Sequence, residues 1–77
     1  MKLSDLQKKD IINLLDGSLI GRIIDVEFDE ENGLIKSFVI EKTRYFKSMF
    51  NNEKDSIITY KQIKKIGNDV ILIENVN

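Results

Sequence analysis

The chain has 77 residues, 42% of them hydrophobic and 32% charged, with a formal net charge of −1 and no histidine, cysteine or proline. A chain of this length makes one domain that hides only about 60% of the surface its unfolded form exposes; its apolar content argues against disorder, its charge against bulk attraction to nucleic acid or acidic lipid, and no run approaches the roughly 18 uncharged apolar residues of a membrane span. Without cysteine there are no disulfide staples, which fits a reducing cytoplasm.

The amino end, MKLSDLQKKD, lacks an apolar core segment, so no signal peptide is expected there, and Ser4 followed by Asp5 reads as a turn cap. A first strand is predicted at 9–15, ending at the turn signal Asp16-Gly17. A second is predicted at 19–29. Its far half alternates, with Ile24, Val26 and Phe28 expected in the core and Asp25, Glu27 and Asp29 in water. Gly21 stands where that alternation starts and reads as a bulge or sharp bend. Asn32-Gly33 then marks a hairpin. Like Asp16-Gly17, it fits a type I′ turn, which needs positive φ at both central residues.

The third strand, 34–42, contains SFVI (37–40), apolar on both faces. One face can fill the core; the other needs a cover. The segment TRYFKSMFNNEK (43–54) follows and includes the turn signal Asn51-Asn52. It sets Tyr45, Phe46, Met49 and Phe50 among Arg44, Lys47 and Lys54, and reads as a docked loop or a contact surface. A fourth strand is predicted at 55–60. In KQIKKIG (61–67), Ile63 and Ile66 are three apart with Gly67 behind them, which predicts one short helical turn before the last strand. That strand, 69–75, holds a second doubly apolar run, VILI (70–73). Turns about ten residues apart predict a mainly all-β fold, a small antiparallel sandwich or barrel. Its uncovered flanks make a homodimer the expected state.

The sequence is poor in chemistry. Asp25, Glu27 and Asp29 stand about 7 Å apart along one strand face, too far for three ligands on one ion without bending. An EF-hand count back from Gly33 places Phe28 and Val39 where carboxylates belong. No histidine is available to titrate near neutrality. Ser4, Ser18, Ser37, Ser48 and Ser56 have no nucleophile-elbow context, and Gly17 and Gly21 no phosphate-loop lysine. No catalytic, cofactor or metal site is therefore expected, and the chain is not read as an enzyme. Charge is unevenly spread, with eight acids and four bases in residues 1–33 against five acids and eight bases in 34–77. The basic half suggests a rival reading, RNA- or ribosome-linked binding through Arg44, Lys47, Lys61, Lys64 and Lys65, with the nearby rings as stacking groups. The acidic first half works against a phosphate track.

Read together, LSDL (3–6), KDIINLLDG (9–17), IGRIIDVEFD (20–29), NGLIKSFVI (32–40) and ITYKQIKKIGNDVILI (58–73) resemble the PRC-barrel family. The most specific piece is the ending, Ile63-Lys64-Lys65-Ile66-Gly67 followed by Asp69-Val70-Ile71-Leu72-Ile73. The likeness is greatest to the short single-domain YlmC/YmxH branch, described as sporulation proteins of Firmicutes. Tyr60 stands where that pattern has tryptophan, and the aromatic 43–50 stretch is long for it. The resemblance implies a small PRC-barrel of about five to six strands. It implies a non-catalytic adaptor that binds protein, with no catalytic set to carry over. Arg44, Tyr45, Phe46, Met49 and Phe50 are the expected protein contacts, because interfaces are enriched in aromatics, Met and Arg.

Overall fold

The computed structural model describes residues 1–43 and 57–74. Within them lie a helix, α1 (Leu3–Gln7), and six strands: β1 (Asp10–Asn13), β2 (Leu19–Asp29), β3 (Leu34–Lys42), β4 (Ile57–Ile58), β5 (Ile63–Ile66) and β6 (Val70–Ile73). The strands make one curled, half-barrel sheet in the order β4-β3-β2-β1-β6-β5. This is the mainly β architecture expected, with one departure. The β1–β6 pair is parallel, while the other neighbours are antiparallel. The parallel pair joins the two ends of the fold: Asp10 N–H donates to Asp69 O at 3.0 Å and Leu14 N–H to Ile73 O at 2.8 Å.

The concave face is filled by Ile11, Ile20, Ile23, Phe38, Ile40, Ile58, Ile71 and Ile73, all buried, with Leu6, Val26, Ile35 and Ile63 packed against them. Branched side chains suit this surface, since a pleated strand restricts them little. The curl depends on bulges, which add a residue to one strand and raise its local twist. One lies in β2 opposite Ile11 and Ile12, another between Ile23 and Asp25. They put Ile20, Ile23 and Val26 on the core side at intervals of three, where simple pleating would use intervals of two. The expectation that Ile24, Val26 and Phe28 line the core is therefore corrected. The bulge turns Ile24 outward, 50% exposed, and Phe28 is 59% exposed; only Val26 packs inward.

Gly21 lies opposite Lys42, where β2 and β3 approach so closely that a β-carbon would collide with the backbone carbonyl of Glu41. The bend read from this glycine is thus also a close backbone contact. The two glycine turns form hairpins as expected, but they are not type I′. Gly17 and Gly33 have φ of 72° and 69°, and no other described residue has positive φ. Each loop instead closes by a wider bond, Gly17 N–H to Asn13 O and Gly33 N–H to Asp29 O, both 2.7 Å. Only the closing residue must be left-handed, the conformation glycine adopts without steric cost.

The short helical turn covers Tyr60–Gln62 and leads into β5 rather than directly into the last strand, and Thr59 N–H donates to the Gln62 side chain at 3.0 Å. Ile63–Ile66, read as part of that turn, is instead strand β5, paired with β6 and bulged between Ile63 and Lys65. The bulge produces the three-residue spacing that mimics a helix. Tyr60 packs edge-on against Phe38, with ring centroids 5.4 Å apart, and closes one end of the core. On the convex face, Val39, Val70 and Leu72 of the doubly apolar runs are half-buried. At the amino end Lys2 takes the cap position of α1, and of the expected pair Ser4-Asp5 it is Asp5, in the first helical turn, whose carboxylate accepts from Lys2 N–H at 2.8 Å. Lys9 is only 8% exposed, and its ammonium donates to Gly67 O at 2.7 Å and Asn68 O at 2.5 Å, tying β1 to the β5–β6 turn.

Two stability effects are expected in chemical denaturation. Gly21→Ala should lower the unfolding free energy by about 3 kcal/mol, because the clash is with backbone that cannot rotate away. Lys9→Met, which keeps the apolar stem but loses both donors, should cost about 1.5–3 kcal/mol, the range for hydrogen bonds to charged groups.

Candidate interaction surface

Strand length decides what the molecule presents. β2 has 11 residues and β3 has 9, while β1, β5 and β6 have 4 each and β4 has 2. β1 pairs with β2 only at Leu19 and Gly21, and β4 with β3 only at Phe38 and Val39. Among the described residues, β2 and β3 continue beyond those contacts as a two-stranded arm, with Glu27 opposite Ser37, Phe28 opposite Ile35 and Asp29 opposite Leu34. Near its tip Phe28 is 59% and Leu34 66% exposed. Sequence reasoning missed this arm. The available signal was the mismatch between one long hairpin and its short neighbours.

The arm is acidic, and three of its carboxylates, Asp25, Glu27 and Asp29, have structural partners. Glu27 accepts from the buried Ser37 hydroxyl at 2.7 Å. Asp25 accepts from Val26 N–H at 2.8 Å. Asp29 holds the tip, accepting from Glu31 N–H at 3.0 Å and Asn32 Nδ2 at 2.8 Å. The Asn32 amide first, then the Glu31 backbone, hold the Asp29 carboxyl below its ordinary value of 3.8. Asp16 in the first hairpin is built alike: the Ser18 hydroxyl at 2.6 Å and Ser18 N–H at 3.0 Å bond its carboxylate and lower its pKa. These are turn-locking carboxylates. Among the described residues, no group of three or more acids is placed to hold a metal ion.

A shallow cleft near Gly21 is lined by Asp10, Leu19, Arg22, Glu41, Lys42 and Thr43. The Asp10–Arg22 ion pair, 3.0 Å long, spans two of its walls. The second charged region is the edge strand β5 with its preceding turn, where Lys61, Lys64 and Lys65 are exposed and Lys64 lies 3.7 Å from the Glu74 carboxylate. Lysines on an edge strand ordinarily guard its open backbone against unwanted pairing. Tyr60 and Ile66, 56% and 41% exposed, stand among them. The expected contacts Arg44, Tyr45, Phe46, Met49 and Phe50, and Lys47 of the rival reading, lie outside the described residues.

A family model described as PRC-barrel domain matches residues 1–77. The chain is also 30% identical over 73 residues to a protein of Bacillus subtilis (strain 168) named "Probable sporulation protein YlmC", an alignment covering 95% of this chain and 90% of that protein. Among the described residues no helix is long and apolar enough to cross a membrane.

The hairpin carboxylates give a pH prediction with a fixed sign. Their folded pKa values lie below the ordinary 3.8, so the stability they contribute is fully present above that value and is lost as pH falls through the lowered ones. Carbon-detected NMR titration should find both carboxyl groups titrating below the ordinary 3.8. Asn32→Ala should raise the Asp29 midpoint alone, and Ser18→Ala the Asp16 midpoint alone.

Proposed function

The chain belongs to the PRC-barrel family, and on that footing we propose that it is a non-catalytic, cytoplasmic adaptor that binds protein, associates with itself and serves spore formation. The observation that carries the proposal is the arm, where Phe28 and Leu34 are offered to solvent on a hairpin whose tip is held in place by Asp29. Exposed apolar side chains rimmed by charge are the usual signature of a protein contact. The sequence adds a second group, Arg44, Tyr45, Phe46, Met49 and Phe50, which we assign to the same contact role. The name of the Bacillus relative supplies the link to sporulation. The cysteine-free composition fits a reducing compartment.

Sedimentation across the micromolar range should give a concentration-dependent rise above the monomer mass. A tagged chain should retain a defined partner from sporulating cells more than from vegetative cells, and Tyr45→Ala/Phe46→Ala should lose it. A chain that stays monomeric and retains no protein from either culture overturns the proposal. Retention of RNA that collapses between low and moderate salt would replace it with the rival reading, since neutralised phosphates release counterions.

A further inference from the structure

The molecule carries two exposed patches of opposite sign, each with its own apolar centre. Between Asp25 and Lys36 the arm holds five carboxylates (Asp25, Glu27, Asp29, Glu30 and Glu31) against the single base Lys36. Phe28 and Leu34 project among them. The turn before β5 and β5 itself carry Lys61, Lys64 and Lys65, with Tyr60 and Ile66 exposed between them. In the sheet order β2 and β3 are separated from β5 by β1 and β6.

We propose that the acidic β2–β3 arm of one copy docks on the basic β5 edge of a second copy, and that the second copy returns the same contact. The occupant is argued from charge. One chain presents both halves of a complementary pair, while its net charge of −1 leaves little long-range repulsion between copies. Apolar centres ringed by opposite charges match the anatomy of a protein interface, an apolar core inside a polar rim. Reciprocal exchange about a two-fold axis closes the assembly at two copies and leaves neither patch unpaired. The inference rests on the self-association proposed above and assigns it a surface distinct from residues 44–50.

A charge-swap experiment tests it with two full-length variants. One carries Glu30→Lys and Glu31→Lys, whose side chains make none of the hydrogen bonds that hold the tip. The other carries Lys61→Glu and Lys65→Glu, which leaves the Lys64–Glu74 pair in place. Circular dichroism melts first establish that both remain folded. In sedimentation at low salt each variant alone should associate about tenfold or more weakly than the unaltered chain, because like charges then face each other. An equimolar mixture should recover the two-copy species, since both exchanged contacts are again complementary. Unchanged association in both variants, or no recovery on mixing, overturns this docking surface and leaves the broader self-association standing on another face. An unaltered chain that is monomeric throughout overturns both, and the retention of a partner from cells then decides whether the adaptor reading survives.

Discussion

The fold depends on a sheet that must cover its own apolar face. A flat sheet of this composition would leave one side wet, and the described chain has no second layer to lay on it: α1 is a five-residue helix that contributes only Leu6 to the core. The remaining solution is to curl. Ile11 and Ile71 of the β1–β6 pair then share one buried cluster with Phe38 and Ile40, and the apolar surface leaves water without a helical lid among the described residues. Everything else follows from making a short ribbon bend that far. The bulges raise the twist of β2, Gly21 lets β2 and β3 approach within contact of their backbones, and Tyr60 fills one open end.

That curl also explains which parts of the fold were legible in the sequence. Where turns carry their own chemistry, strand bounds are read to the residue: 19–29 and 34–42 are the observed bounds of β2 and β3, joined at Asn32-Gly33. Where a bulge intervenes, the reading of apolar spacing fails in a characteristic way. An inserted residue changes the apolar interval from two to three, so Ile20-Ile23-Val26 hides inside an apparent alternation of Ile24, Val26 and Phe28, and Ile63–Ile66 passes for a helical turn. Pairing that is far apart in sequence is equally hidden. Nothing in DIIN or VILI announces that β1 runs parallel to β6, because both are short apolar segments that would fit either direction.

The turns illustrate a related limit. Asp16-Gly17 and Asn32-Gly33 identify hairpins correctly, yet they do not fix the turn class, because the side chains ahead of the glycine settle it. Asp29 accepts from the Glu31 backbone and the Asn32 amide, and this pattern favours a wider loop in which only Gly33 is left-handed. Residues 44–50, the contact group expected from composition, lie outside the described residues. The arm could not be named from sequence, since its meaning lies in the lengths of its neighbours.

The same carboxylates reconcile two demands on the arm. A two-stranded hairpin is marginal in water when nothing packs on it. This one is anchored at its base by Val26 and Ile35 on the core, stitched at its middle by Glu27 to Ser37, and locked at its tip by Asp29. Its order therefore does not depend on burying Phe28 or Leu34, so those side chains can stay exposed without loosening the strand pair. For the docking proposed above, an arm held by polar local bonds is ordered in advance, and a pre-ordered surface spends less of its contact energy on conformational entropy. The acids that stabilise the tip also surround its apolar centre with negative charge. A single set of residues thus fixes the local fold and sets the electrostatic character of the surface it displays.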